Sequence, residues 1–374
     1  MLFHYLKFSL FYLLSVLTII ALLAGEDWIA LSYLAVSVFI IAGDAWFGED
    51  TSAPVYKHPH IFTAQLFAAL PLLCVLMFVG TWSVSATDTL GFGHWFYTLS
   101  GWDINQNKAA TSDWQHGIAV FYVGLMVSMI GTVTAHELVH RTWYRPSVFI
   151  GRWLLAFSFD SSFSIEHVYG HHNYVAHSHD PATAPRGRNV YQHIVLSTLA
   201  GNKSAWRIEG QRLKRRQQPI WSWHNQILRG VAMSLSLLGL SFWLGGVAGL
   251  LFFIGCGLWA KALLEIVNYM EHYGLVRAEG EPVLPRHSWN TNKKMSSWAM
   301  FNLSRHSHHH AQGHIPFHQL QAMPHAPVMP TGYLGTICLT LLPPLWFKIM
   351  AKKLHDWDNN FASESERRLL QRLK

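Results

Sequence analysis

Charge is what this chain of 374 residues most lacks: Asp, Glu, Lys and Arg together make up 13% of it. An ordinary soluble domain carries about 25%, so a freely soluble globular protein is excluded as the default reading. Cysteine is almost absent. Cys74, Cys256 and Cys338 stand alone in apolar stretches and read as small buried hydrophobes. With no Cys-x-x-Cys pair, the chain carries no thiolate-held iron–sulfur, rubredoxin-type or zinc-ribbon site of its own. No GxGxxG or Walker sequence occurs, which removes the common nucleotide and flavin folds. Internal repeats and low-complexity segments are also missing. The net charge of +7 then reads as an excess on cytoplasmic loops, not as a nucleic-acid surface.

What is abundant is apolar sequence in runs of membrane-spanning length, about 20 residues. Six such runs are predicted, at 4–24, 27–45, 62–82, 117–135, 229–246 and 248–268. The first has the composition of a signal peptide. It lacks a clear A-x-A cleavage site and is followed almost at once by a second run, so it is read as a first membrane helix. Short links at Gly25-Glu26-Asp27 and Gly245-Gly246 make the first two runs and the last two helical hairpins. The expected fold is therefore an all-α integral membrane protein, a single domain over 1–374.

Loop charge sets the expected topology. Residues 83–115 contain one Lys and no Arg, whereas 141–228 hold Arg141, Arg145, Arg152, Arg186, Arg188, Lys203, Arg207, Arg212, Lys214, Arg215 and Arg216. Segment 271–330 adds Arg277, Arg286, Lys293, Lys294 and Arg305. The positive-inside rule places segments 136–228 and 271–330 in the cytoplasm, with both termini, of an inner (plasma) membrane. Segment 331–350 is apolar but broken by Pro343-Pro344 and reads as an interfacial or re-entrant helix. The charged tail 351–374 reads as a surface helix.

The second abundance is histidine, 24 in all. Nine fall into four clusters: His136 and His140; His167, His171 and His172; His272; and His306, His309 and His310. Spacings of three and four place imidazoles on one helical face, and neutral imidazole is the common nitrogen ligand of iron, zinc and copper. One metal takes about four to six ligands, so nine point to two metals. All four clusters fall on the predicted cytoplasmic face. A haem protein would instead place axial histidines singly inside spans. The run His136-Glu137-Leu138-Val139-His140 also fits the HExxH of zinc proteases, with Glu137 as base; a catalytic zinc needs three protein ligands, far fewer than are present. Glu137, Glu166, Asp180, Glu265, Asn268 and Glu271 accompany the clusters and are expected to support the histidines from behind. Aromatic residues Trp46, Phe47, Phe121, Tyr122 and Trp259 are candidates to line a substrate channel.

These residues resemble the membrane-bound, histidine-rich family of desaturases and hydroxylases. The similarity is greatest to alkane 1-monooxygenases, whose boxes look like HELxH, EHxxGHH, NYxEHYGL and RHSxHHA. The matching stretches here are His136–His140, Glu166–His172, Asn268–Leu275 and Arg305–Ala311, in that order. The third is the most specific, since general desaturases lack it. Tyr273–Arg277, Pro343–Trp346 and Asp356–Asp358 are also similar to the hydroxylase subunit of xylene monooxygenase. The resemblance implies a diiron site held by the nine histidines named above, with His308 standing where alkane hydroxylases commonly have Asp. It implies hydroxylation of a terminal methyl group to a primary alcohol with O2 and two electrons. Alternatives within the same chemistry are an alkylbenzene methyl group or a fatty-acyl chain, by hydroxylation or desaturation; an intramembrane zinc protease and a non-enzymatic metal store or transporter are the alternatives outside it. Electrons would come from a rubredoxin or ferredoxin and its reductase. The run Arg212-Leu-Lys214-Arg215-Arg216 is expected to dock an acidic carrier or to hold anionic lipid headgroups.

Overall fold

The computed structural model describes residues 1–373 and is all-helical; among them there is no β-strand, only two isolated bridges. Ten helices organise it: α1 (Leu2–Ala24), α2 (Glu26–Trp46), α3 (His60–Ser83), α4 (Asp113–His140), α5 (Arg145–Ala156), α6 (Val190–Arg215), α7 (Gln226–His272), α8 (Tyr333–Thr340), α9 (Pro343–Asn360) and α10 (Glu364–Leu373). Five of these, α1, α2, α3, α4 and α7, are long and apolar enough to cross a membrane.

Helix α7 runs through two of the predicted segments, 229–246 and 248–268, as one helical stretch of 47 residues. It folds back on itself at Gly246, whose φ of 60° and ψ of −150° are not helical. A Cβ on Gly249 would lie 2.7 Å from the Ser241 carbonyl, eight residues earlier; a straight helix would separate the two by about 12 Å. The two arms of α7 therefore form a hairpin. A second hairpin joins α1 to α2 through Gly25, where φ is +69° and a Cβ would meet Thr111 Oγ1 at 2.5 Å. The bundle thus has six apolar arms.

Large apolar side chains face outward from the arms, among them Leu31, Leu34 and Phe39 on α2 and Leu235, Trp243 and Leu251 on α7. A soluble monomer does not expose such a surface; several apolar helices of this kind fit a multi-pass membrane protein. Inside, Phe11, Leu66, Leu73, Val123, Met126 and Phe253 are buried in one apolar core. Helix α1 is part of that core: Phe8 and Phe11 are fully enclosed, and Lys7 donates to Asp50 at 2.7 Å.

The C-terminal region differs from a simple surface segment. Helices α8 and α9 meet at a bend of 118° just before Pro343-Pro344. Proline at the start of α9 keeps its fixed φ and gives up only an N–H that the first turn leaves unpaired. Helix α8 turns its Tyr333 inward beside the end of α7. In the tail, Trp357 and Glu366 are fully enclosed, so 351–373 is anchored into the fold by particular residues.

Candidate metal centre

The nine histidines converge at one end of the bundle and sort into two groups. His136, His140, His167, His172 and His309 form one, and His171, His272, His306 and His310 the other; within each, the potential ligand atoms lie within 4.8 Å of one another. Helix α4 delivers His136 and His140 from successive turns. The end of α7 delivers His272. The short helix His306–Ala311 delivers His306 and His310 to the four-histidine group and His309 to the five-histidine group.

The second cluster is split by its backbone. Residues 167–171 form a π-helical turn, in which hydrogen bonds run from i to i+5. His172 therefore comes round over His167, Nε2 to Nε2 at 3.1 Å. His171, which α-helical spacing would pair with His167, instead faces His310, Nε2 to Nε2 at 3.2 Å.

The nitrogens are placed as ligands are placed. His309 Nε2 lies 3.1 Å from His172 Nε2, His306 Nε2 3.2 Å from His272 Nε2, and His310 Nε2 2.9 Å from His306 Nε2. Metal–imidazole bonds of about 2.0–2.1 Å put neighbouring ligands of one ion about 3 Å apart. The buried Nε2 atoms of His136 and His140 have no protein partner, and a buried polar nitrogen without a partner is costly. Burial, reinforced by the neighbouring histidines, pushes the pKa of His167, His172, His306, His309 and His310 well below the ordinary value. Neutral imidazoles are the form that binds metal. The donor set fits two ions.

The accompanying polar residues divide. Asp180 sits behind the site, its carboxylate accepting from His171 Nδ1 at 2.9 Å; burial alone would lower the His171 pKa, but Asp180 outweighs it and raises it. Glu271 stands among the donors: its Oε2 is 3.2 Å from His306 Nε2, and its Oε1 accepts from Tyr333 Oη at 2.5 Å. Glu137 supports no histidine. It pairs with Arg141 at 2.8 Å and accepts the Phe317 N–H at 3.2 Å. Glu265 is held by Lys261 at 2.6 Å and by the Ser197 hydroxyl at 2.5 Å, and Asn268 donates to it at 3.2 Å. Glu166 lies beside the small polar cavity that His167 and His171 also line; burial, helped by the Asp180 charge, pushes it up to about 8. His308 belongs to neither group, and its Nδ1 accepts the Gln321 N–H at 2.8 Å.

An apolar cavity of ≈ 90 Å³ reaches this centre. Its walls include Val36, Leu125, Met129, Leu263, Met300 and Ile337, and its polar end includes His136, His167, His306 and Glu271. A second π-helical stretch, Val127–Thr132 of α4, turns Ser128, Met129 and Thr132 to the cavity. None of the five aromatic channel candidates lines it. Trp46 is 81% exposed, Phe121 packs edge-on against Trp259, and the Tyr122 hydroxyl bonds Ser32 at 3.0 Å. Tyr333 was not singled out from the sequence; its one signal is a hydroxyl at the start of an otherwise apolar segment.

The fatty acid desaturase family model matches residues 112–339, more than half of the chain and all nine histidines. The chain belongs to the fatty acid desaturase family. Its curated relatives include several monooxygenases. Alkane 1-monooxygenase 1 of Pseudomonas aeruginosa is 33% identical over 330 residues, covering 86% of this chain and 82% of the relative. An alkane 1-monooxygenase of Pseudomonas putida is 30% identical over 339 residues, covering 86% and 77%. The xylene/toluene monooxygenase hydroxylase component XylM of Pseudomonas putida is 36% identical over 236 residues, covering 63% of each chain. This member of the family thus combines the two histidine groups with an apolar cavity that ends on both.

Proposed function

We propose that this protein is a membrane monooxygenase that converts the terminal methyl group of an alkane to a primary alcohol. The nine histidines would hold two iron ions, which supply the activation of O2. The balance is R–CH3 + O2 + two electrons + two protons giving R–CH2OH + H2O. The observation that carries this reading is the cavity: its walls are apolar, and its polar end has ligand histidines from both groups, His136 and His167 from one and His306 from the other.

The residues of the chain have distinct tasks. The imidazoles of the two groups would hold the ions, and Asp180 orients His171. Glu271, steadied by Tyr333, places a carboxylate where the cavity meets the histidine groups. Leu125, Met129, Leu263 and Ile337 hold a substrate that has no polar handle. Each buried CH2 contributes about 0.8 kcal/mol without direction, so the narrow shape must bring the chain in end-first. The same walls keep bulk water from the reacting carbon.

No thiolate cluster or nucleotide site is present in the sequence, so electrons come from a separate rubredoxin- or ferredoxin-type protein and its reductase. Basic loops at the histidine end support the reading that this end faces the cytoplasm of a bacterial-type inner membrane. The protease reading is disfavoured, because Glu137 is tied to Arg141 and the Phe317 backbone and five histidines surround its zinc position.

The decisive experiment is product analysis of whole cells expressing the protein with a rubredoxin system and fed octane, hexadecane and p-xylene together. Octan-1-ol or hexadecan-1-ol is the expected product. 4-Methylbenzyl alcohol alone would move the substrate to the alkylbenzenes, the reading the XylM relative favours. An alkene would indicate desaturation, and no oxidised product would overturn the assignment.

A further inference from the structure

A third cluster of potential metal donors lies away from the nine histidines: Glu281, His287 and Glu366. It already contains a cation. Arg286 donates to Glu281 Oε2 at 2.9 Å and to Glu366 Oε2 at 3.0 Å, so its guanidinium neutralises the carboxylates where an ion would sit. The cluster is a clip, and it fastens the last helix, α10, to the loop before Trp289.

His287 is the centre of the clip. Its Nδ1 accepts the Leu284 N–H at 3.0 Å. Nε2 therefore carries the hydrogen and donates it to Glu366 Oε1 at 2.6 Å. Both side chains are fully enclosed. The backbone carbonyl of the same residue lies 3.3 Å from His272 Nδ1. A ring that gives its Nδ1 hydrogen to a fixed acceptor presents its Nε2 lone pair to a metal. His272 Nε2 is the atom that faces His306 in the four-histidine group. In that group Asp180 orients His171, whereas Nδ1 of His306 and Nδ1 of His310 have no partner. Two of the four rings are thus oriented from behind, one of them through the clip. Trp289 ties the same loop to the end of α7, its backbone N–H donating to the Glu271 carbonyl at 2.8 Å.

We propose that Glu366, on the C-terminal helix, is a positioning residue for the four-histidine metal site, acting through the His287 side chain and the His287 carbonyl on His272. The inference rests on the reading that both histidine groups bind iron. It makes the tail part of one metal site and leaves the other independent of it.

The test compares wild-type protein with Glu366→Ala, Glu366→Gln, Glu366→Asp and Arg368→Ala, the last altering an exposed ion pair with Glu364 on the same helix. Iron per chain, Mössbauer spectra and chelator titration are measured on each. In Glu366→Ala the affinity of the four-histidine site is expected to fall about 10–100-fold, with the five-histidine site unchanged. Glu366→Gln, whose amide oxygen still accepts from His287, should restore much of it, and Arg368→Ala should match wild type. Where Glu366→Ala does not fold, Glu366→Asp takes its place, because it keeps the charge for Arg286 but draws back from His287. Unchanged iron at both sites, or equal loss from both, overturns the proposal. Wild-type protein with fewer than two bound irons would instead overturn the metal reading beneath it.

Discussion

Asp50 shows how single buried residues support the metal end of the molecule. It accepts from Lys7 Nζ at 2.7 Å and from Trp298 Nε1 at 2.7 Å, and Arg305, next to His306, lies 3.7 Å from its other oxygen. Arg305 is itself enclosed and donates to the Asp50 and Ser52 carbonyls at 2.7 and 3.1 Å. Burial raises the Asp50 pKa, but the hydrogen bonds from Lys7, Ser52 and Trp298 outweigh it and hold it well below the ordinary value. A carboxylate depressed by folding stabilises the fold above its unfolded pKa, about 3.9, and loses that contribution as the pH falls below it. Asp50→Asn is therefore expected to destabilise the detergent-solubilised protein at pH 7 by about 3 kcal/mol, as for a buried pair broken on one side, read as a lower melting temperature. The difference from wild type should shrink below pH 4. A constant difference across pH would show that the ionised carboxylate is not what stabilises this corner.

At the scale of the element, two departures from the regular α-helix shape the site. The π-helical turn 167–171 sends adjacent histidines, His171 and His172, to different histidine groups. The break at Gly246 folds α7 into two arms and brings its second arm back to end on His272. The φ and ψ at Gly246 lie in a region open to glycine alone. Gly246→Ala is expected to cost about 1–3 kcal/mol, read as earlier thermal unfolding. Gly239→Ala, in the first arm with no neighbour near the added Cβ, should leave stability equal or slightly higher. Matching effects at the two positions would remove the hairpin argument.

Across the whole molecule, charge is gathered around the metal end. A groove of ≈ 1170 Å³ is lined by Arg188, Lys203, Arg207, His177 and His179, with Asp180 in its wall. Asp180 also holds His171, so this surface leads to the four-histidine group through one carboxylate. The run Arg212–Arg216 lies further along α6, and Arg212 there is paired with Glu209 at 2.6 Å. On the proposed reading an acidic electron carrier would meet the groove, whose cations outnumber the acidic Asp180 and Glu279 in its lining. Reversing Lys203 and Arg207 to Glu together should raise KM for the carrier by about tenfold, with a weaker dependence on salt. Turnover with a chemical reductant should not change. Reversal at Lys214, Arg215 and Arg216 should have the smaller effect; the opposite order would return docking to that run.

How much was legible beforehand follows from which interactions are local. Apolar runs and histidine spacing are properties of neighbouring residues, so six apolar helical arms and the nine histidines could be read from the chain alone. The allocation of five and four could not, because it depends on a π-helical turn that no spacing rule reveals. Glu137 and Glu265 look like partners of the histidines in sequence but are held by Arg141, Lys261 and Ser197 instead. The five aromatic channel candidates lie away from the cavity, which the chain alone could not show, because an aromatic in a span has the same sequence signature whether it faces lipid, a neighbouring helix or a cavity. Tyr333, His287 and Glu366 reach the site through contacts between residues 62, 15 and 79 positions apart. The helical class, the apolar arms and the spacing of the histidines follow from hydrophobicity and short-range periodicity, which the chain carries locally. Packing settled how the histidines divide into two groups, where the cavity runs and what the tail touches, because each depends on side chains that meet only in the folded molecule.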